Sequence, residues 1–158
     1  ARESLFDYDS ANIIRLIDYC LSLKIAVVEK DEKEAGLRKI LNLGHTLGHA
    51  LETVTKYKKF THGEAVIYGI YFALKLAYKL NFIDLAYYNI TTELLEKYGF
   101  KNNKIIGNYS AEKLTEIMCV DKKTENNKVV MILPAGRKFV KEYNFTAEEI
   151  KNFLKDLS

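Results

Sequence analysis

Four polar residues with chemically useful side chains recur at helical spacing early in the chain. Arg38, Asn42, His45 and His49 lie four, three and four residues apart. At about 100° per residue, a helix would place all four within an arc of roughly 60° on one face. Arginine is suited to bidentate binding of carboxylate or phosphate, and imidazole to metal ligation or proton transfer. The spacing favours either a solvated polar face or a site for an anion and a metal.

The chain has three histidines, and the third, His62, follows this predicted helix at the start of the next one. If the two helices are antiparallel neighbours, the segment between them returns His62 toward His45. The sequence allows this arrangement without requiring it. Gly44 and Gly48 lie beside the polar face, although glycine costs roughly 1 kcal/mol in a helix interior relative to alanine. They suggest close approach by a ligand or another backbone, or ordinary helix packing.

The elements that would position these residues are mainly helices. Apolar periodicity and capping residues predict six of them: Ser10 to about Leu23, Gly36 to Tyr57, Thr61 to about Leu80, Asp84 to near Tyr98, Ser110 to Cys119, and a last helix opened by Thr146 with Glu149 in a capping box. Two β-prone runs, Val129–Leu133 and Lys138–Tyr143, predict a hairpin around Pro134. The predicted fold class is mainly α, a multi-helix bundle with a small β-hairpin near the C-terminus, organised as a single domain over residues 1–158.

Composition excludes several classes of partner. The net charge is +3, from 24 basic and 21 acidic residues that are interleaved along the chain, so nucleic acid is not an expected partner. No apolar run reaches the ~18 residues that a membrane span needs, because Lys75 and Lys79 interrupt the longest candidate, Ala65 to Leu80. Cys20 and Cys119 both lie in apolar, helix-like stretches, which predicts two buried thiols and a reducing compartment. We therefore expect a cytoplasmic protein.

Four segments, in the same order along the chain, are similar to motifs of 3-dehydroquinate synthases. They are Lys24 with Asp31 (KxxVVxxDExExG), Gly36–Glu52 (GLRxxLNxGHTxGHAxE), His62–Val66 with Gly69 (HGEAVxxG), and Asp121–Lys123 (DKK). The likeness is collinear from about Lys24 to Leu133, which is most of the chain. It resembles the C-terminal, helical domain of a two-domain enzyme.

This resemblance implies a reaction and its cofactors. The family converts 3-deoxy-D-arabino-heptulosonate 7-phosphate to 3-dehydroquinate and phosphate, a step of the shikimate pathway of aromatic amino-acid biosynthesis. It uses NAD and a divalent metal, zinc or cobalt, and the whole enzyme is expected to be a homodimer. The metal would act as a Lewis acid on the hydroxyl that is oxidised.

The resemblance also implies roles for individual residues. His45 and His62 match the histidines that bind the metal, and His49 matches a residue near the reacting hydroxyl that is a plausible proton shuttle. Lys24, Arg38 and Asn42 match residues that hold the substrate, its carboxylate in particular, so His49 and Lys24 are the expected catalytic residues. Lys122 or Lys123 would contact the phosphate, and the sequence does not distinguish between them.

The resemblance leaves part of the family's site unmatched. The third metal ligand of the family is a glutamate upstream of Ala1, as is the NAD-binding domain, and no glycine-rich GxGxxG loop occurs here. The chain alone is therefore expected neither to bind NAD nor to turn over substrate, and to bind zinc weakly. Two alternatives stay open. One is a sibling cyclase such as 2-deoxy-scyllo-inosose synthase, and the other is a non-catalytic helical metal-binding or interaction module.

Overall fold

The computed structural model describes residues 10–100, 103–120, 128–137 and 139–156. Within them, six α-helices, two 3-10 helices and one antiparallel pair of strands follow in the order given next. They are α1 Ser10–Lys30, a first 3-10 helix Leu37–Asn42, α2 His45–Val54, α3 His62–Lys79, α4 Leu85–Lys97, a second 3-10 helix Asn103–Asn108, α5 Ala111–Val120, β1 Lys128–Pro134, β2 Val140–Thr146 and α6 Ala147–Lys155. The predicted fold class is confirmed. The chain divides into two compact units, Ala1–Leu41 and Asn42–Ser158.

The described part of the first unit consists of α1, the loop after it and the first 3-10 helix as far as Leu41. The helix extends through the apolar stretch after Lys24 and ends at Lys30. Many of its apolar side chains are exposed, including Ile14 at 65% and Tyr19 at 63%. Cys20 is also exposed, so the prediction of two buried thiols is wrong for this residue. Helical periodicity identifies an apolar face, but it does not say whether a neighbouring element covers it.

The loop after α1 is organised by one carboxylate. Asp31 accepts hydrogen bonds from the backbone N–H groups of Ala35 at 2.8 Å, Gly36 at 2.8 Å and Arg38 at 2.9 Å. These bonds, that of Arg38 first, hold the pKa of Asp31 below its usual range. The Arg38 guanidinium in turn donates to the carbonyl of Glu32 at 2.9 Å. The loop therefore gives Arg38 a defined local position within its own unit.

The single helix expected from Gly36 to Tyr57 is wrong. The chain instead forms a 3-10 helix that ends at Asn42, and the α-helix starts afresh at His45. Arg38 and Asn42 therefore belong to one element, whereas His45 and His49 belong to another. The four residues do not share one continuous helical face, and the 60° arc applies only within α2.

The break has a physical cause at Gly44, which has a φ of 80°. A Cβ on this glycine would lie 2.5 Å from the backbone oxygen of Val66 on α3 and 2.8 Å from the backbone nitrogen of Ile70. Only glycine tolerates both this φ and this crowding. Gly48 lies against Val66 as well, with a virtual Cβ 3.2 Å from its Cα. The two glycines therefore serve close packing of α2 on the backbone of α3.

The core lies in the second unit and surrounds α3. Fully buried side chains come from five elements of this unit: Leu47 and Leu51 of α2, Phe72 and Leu76 of α3, Leu114 and Met118 of α5, Val129 and Leu133 of β1, and Ile150 of α6. The predicted hairpin is confirmed, with Val129 opposite Phe145 in the register; Lys138, where its second strand was expected to begin, lies outside the described residues. The capping box of Thr146 and Glu149 is confirmed at the start of α6.

Two further features bear on α2 and on the chain as a whole. The Thr46 hydroxyl donates to the backbone carbonyl of Val130 at 3.2 Å, which joins the first turn of α2 to β1. In the part of the chain that the structure describes, we find no helix with the length and apolarity needed to cross a membrane.

Candidate metal and substrate site

The three histidines converge where α2 packs on α3. The ring centroids of His45 and His62 lie 5.2 Å apart, those of His45 and His49 5.5 Å, and those of His49 and His62 5.9 Å. His45 and His49 are one turn apart on α2, and His62 is the first residue of α3. The arrangement in which His62 returns toward His45, which the sequence allowed without requiring, is the one observed.

The segment between α2 and α3 makes this return with backbone conformations that the sequence did not signal. Lys56 and Tyr57 both have positive φ, of 54° and 57°. Such values are uncommon outside glycine and asparagine, so a run of lysines and aromatic residues gave no turn signal. Thr61 then caps α3, with its side chain and that of Glu64 forming a capping box.

The Nδ1 atoms of His45 and His62 lie beside oxygen acceptors. Nδ1 of His45 lies 3.3 Å from the carbonyl oxygen of Leu43. Nδ1 of His62 lies 3.2 and 3.3 Å from the two carboxylate oxygens of Glu52. A carbonyl or a carboxylate only accepts, so in each pair Nδ1–H donates. When such a ring is neutral, its free lone pair is on Nε2, which is the atom left available to a metal ion.

The protonation of His45 follows from its surroundings. Partial burial lowers its pKa, because the charged imidazolium loses hydration there. The bond to the Leu43 carbonyl opposes this shift, while the neighbouring His49 and His62 rings lower the pKa further. At neutral pH His45 is therefore predominantly neutral, which is the form that can bind a metal ion.

A set of donor atoms of a kind that binds divalent metals lies at this junction. One ligand atom each from His49, Glu52 and His62 can be chosen so that all lie within 4.8 Å of one another. Imidazole nitrogen and carboxylate oxygen are the donors found in catalytic zinc and cobalt sites. These donors have the chemistry of a divalent-cation site, but the set consists of His49, Glu52 and His62, so of the two ligands that the family motif implies it includes His62 and not His45.

Glu52 was not among the residues expected to act here. It is buried, with a side chain 9% exposed, whereas the side chain of His62 is 57% exposed. A signal for it existed in the sequence, because His45, His49 and Glu52 are spaced four and three residues apart. That spacing places them within about 60° on one face of α2. It was overlooked because a glutamate beside a polar face is usually solvated.

His49 also lines a cavity of about 500 Å³ between α2 and α5. Thr46 and Thr53 contribute polar atoms from α2, and Lys113 and Glu116 contribute charges from α5. Small-molecule sites commonly have volumes of about 300–1,000 Å³. A ligand of modest size could therefore reach the His49 ring from this side.

The other expected site residues lie on α1, in the first 3-10 helix or outside the described part of the chain. Lys24 is exposed on α1, and Arg38 lies in the first 3-10 helix, where its guanidinium donates to the Glu32 carbonyl; both belong to the unit Ala1–Leu41. Asn42 ends the first 3-10 helix. Lys122 and Lys123 lie outside the described residues.

The sequence of the chain matches a known family over most of its length. The family model for the C-terminal part of 3-dehydroquinate synthase covers residues 1–124. The chain belongs to this family. The 3-dehydroquinate synthase of Alkaliphilus metalliredigens (strain QYMF) is 38% identical over 151 residues, which are 96% of this chain and 42% of that protein. That of Dictyoglomus turgidum (strain DSM 6724 / Z-1310) is 43% identical over 132 residues, 84% of this chain and 36% of that protein.

The chain thus spans about two fifths of the length of the curated relatives it matches. Among solved structures, a 2-deoxy-scyllo-inosose synthase complexed with carbaglucose-6-phosphate, NAD⁺ and Co²⁺ superposes with a TM-score of 0.78 at 24% identity, over 94% of this chain and 42% of that one. This likeness establishes that the two chains share a fold.

Proposed function

We propose that the chain is the metal- and substrate-binding part of a 3-dehydroquinate synthase, which converts 3-deoxy-D-arabino-heptulosonate 7-phosphate to 3-dehydroquinate and phosphate. The observation that carries the proposal is the convergence of three imidazoles at the start of α2 and α3, two of them with Nδ1 beside an oxygen acceptor. Relatives that carry this name at 38–43% identity support this reaction over the sibling cyclase.

In this proposal His45 and His62 hold a divalent metal, zinc or cobalt, through Nε2. When bound, the metal supplies Lewis-acid polarisation of a substrate oxygen. His49 would take up or return a proton at a substrate hydroxyl; its position one turn beyond His45 and at the edge of the cavity supports this role. NAD and the remaining metal ligand would come from a part of the enzyme outside the family's C-terminal segment.

The substrate carries a carboxylate and a phosphate, and cationic side chains are the expected partners of both groups. Arg38 is a fork donor matched to a carboxylate, and Asn42 and Lys24 would add an amide and an ammonium group. Lys122 or Lys123 would neutralise the phosphate. These four assignments, the last with two candidate residues, rest on the family motif, and mutagenesis is the way to test each of them.

The reaction can be tested with an enzyme completed from a relative. The chain is joined to the part of the Alkaliphilus metalliredigens protein that it does not match, and phosphate release is measured with NAD and Co²⁺. We expect turnover of 3-deoxy-D-arabino-heptulosonate 7-phosphate and little of glucose 6-phosphate, which has no carboxylate. Faster release from glucose 6-phosphate would favour a sibling cyclase, and release from neither by a folded chimera would favour a non-catalytic module.

The Arg38→Ala variant tests the contact with the substrate carboxylate in the same assay. Losing a charge-assisted bond to a carboxylate should lower kcat/KM for the heptulosonate by roughly 10–100-fold in Arg38→Ala. Lys39→Ala, which removes the neighbouring charge, is the matched control. The chain by itself is expected not to bind NAD and not to release phosphate from the substrate. An NAD affinity in the micromolar range, measured by calorimetry, would contradict this expectation.

A further inference from the structure

Glu52 is a buried carboxylate whose hydrogen-bond partner, His62, is largely exposed. Among the described residues, the only hydrogen bonds found for its oxygens are those with Nδ1 of His62, at 3.2 and 3.3 Å. Burying a carboxylate is costly unless its partners compensate for the lost hydration. Here the partner is a ring whose side chain is 57% exposed, so the pair gains little as a stabilising contact. An apolar side chain would fill the same position at lower cost.

What the pair does achieve is orientation. The Glu52 side chain is fixed by burial in α2, whereas His62 stands at the exposed start of α3. Two carboxylate oxygens at nearly equal distance favour the His62 tautomer with hydrogen on Nδ1, and they hold the plane of the ring. The lone pair of Nε2 is thereby directed away from Glu52. Histidines that bind metals commonly donate their other N–H to a carboxylate in this manner.

Glu52 also connects the two candidate ligands. It lies seven residues after His45, on the same face of α2. Glu52 and His45 both belong to α2, whereas His62 belongs to α3. A shift of α3 relative to α2 would therefore disturb the bond between Glu52 and His62 and the distance between the two rings at the same time. The Leu43 carbonyl does for His45 what Glu52 does for His62.

We propose that Glu52 is the positioning residue of His62: its carboxylate accepts the Nδ1–H bond, selects the tautomer and presents Nε2 to the metal. This inference rests on the proposed function for the metal, whereas the tautomer is a property of the chain without metal. Glu52 would act through His62 and would not bind the metal itself.

The first experiment needs no metal. Long-range ¹H–¹⁵N correlation spectra of the chain report which nitrogen of His62 carries hydrogen. We expect the Nδ1–H tautomer in the wild type, partial retention in Glu52→Gln, whose amide oxygen still accepts, and a shift toward Nε2–H in Glu52→Ala. Glu93→Gln, which removes an exposed negative charge on α4, is the control and should leave the tautomer unchanged. The same His62 tautomer in wild type and Glu52→Ala would overturn the proposal.

The second experiment measures Co²⁺ binding by calorimetry and visible absorption. Loss of such an outer partner typically weakens metal affinity 10–100-fold, so we expect a fall of that order in Glu52→Ala and a smaller one in Glu52→Gln. At saturation the cobalt d–d bands should keep their positions and intensities, because the ligands are unchanged. Altered bands would make Glu52 a direct ligand and contradict the positioning role, as would an unchanged affinity.

The two proposals fail in different ways. If His45→Ala and His62→Ala bind Co²⁺ as tightly as the wild type, the metal assignment of the proposed function is wrong. The tautomer result would then still decide whether Glu52 orients His62. Circular dichroism melting of each variant verifies that it is folded, and Glu52→Gln retains nearly the shape of the native side chain if Glu52→Ala does not fold.

Discussion

The two helices that carry the candidate metal ligands begin in opposite ways. His45 follows Gly44, which has a left-handed conformation and makes no side-chain cap, whereas His62 follows Thr61, which forms a complete capping box with Glu64. One start is therefore determined by packing against another helix, and the other by bonds within four residues. The comparison shows that two residues of one candidate site can be positioned by different means. We call the packing contact at Gly44 the tertiary device and the capping box of Thr61 and Glu64 the local device.

The tertiary device is a contact between two backbones. A Cβ on Gly69 of α3 would overlap the carbonyl group of Gly44, and a Cβ on Gly44 would crowd the backbone of Val66 and Ile70. The local device consists of three bonds between Thr61 and Glu64: Thr61 N–H to the Glu64 carboxylate at 2.8 Å, the Thr61 hydroxyl to the same oxygen at 2.9 Å, and Glu64 N–H to the hydroxyl at 3.4 Å. The tertiary device should therefore be the more costly to disturb.

The largest expected effect comes from Gly69→Ala. The added methyl group cannot be accommodated without moving the Gly44 carbonyl, so we expect a loss of roughly 3 kcal/mol or more in the free energy of unfolding, or failure to fold. Urea denaturation measures it. Gly63→Ala is the matched control, because nothing lies within 4 Å of a Cβ there; it should be neutral or stabilise by up to about 1 kcal/mol. Equal effects at both glycines would contradict the packing argument.

Gly44→Ala should come next. Holding a non-glycine residue in the left-handed region costs about 1–2 kcal/mol, and crowding against α3 adds to this, so about 2–3 kcal/mol is expected. Because the same change displaces His45, Co²⁺ affinity should fall as well. Gly36→Ala, a glycine with nothing within 4 Å of a Cβ, should affect neither quantity. A tolerated Gly44→Ala with unchanged cobalt binding would show that the start of α2 is not set by packing.

Breaking the local device should cost less. Removal of the capping hydroxyl in Thr61→Ala should lower the free energy of unfolding by about 1 kcal/mol. Thr146→Ala is the matched control, since it removes the equivalent cap of α6. Both variants should lose similar stability in thermal denaturation, but only Thr61→Ala should also weaken Co²⁺ binding. Equal cobalt affinities in the two variants would show that the cap of α3 does not contribute to metal binding.

The smallest effect should be a pH dependence of the same cap. Bonds from the Thr61 backbone N–H and then its hydroxyl lower the pKa of Glu64 from its ordinary 4.5. A lowered folded pKa means that Glu64 stabilises the fold above pH 4.5 and loses this contribution as the pH falls through the folded pKa. The difference in Tm between wild type and Glu64→Gln should therefore be largest near pH 7 and shrink in acid. A difference that does not change with pH would exclude this linkage.

Local and tertiary devices also differ in how far the sequence reveals them. The starts of helices α3, α4 and α6 agree with the sequence prediction nearly to the residue, because Thr61, Asp84 and Thr146 cap them through neighbours in sequence. The break at Gly44 was missed, since Leu41, Leu43 and Leu47 continue a helical period while the cause of the break lies on α3.

The same limit applies to the site and to the exposed helix. The three histidines were identified from spacing and family motif, but their convergence depends on the unusual backbone of Lys56 and Tyr57. Glu52 was overlooked because its burial is a tertiary property. Cys20 was expected to be buried because apolar periodicity does not reveal whether another element covers α1.

The contact of Gly44 with Gly69 has a consequence for anyone who wishes to rebuild this site elsewhere. Functional groups must be held within about 0.5 Å of their working geometry. Two backbones in direct contact have no rotamers, so the separation of the helices that carry His45 and His62 cannot be adjusted by a side chain that changes its conformation. A scaffold that receives the histidines and Glu52 without the two glycines would inherit the chemistry but not the spacing.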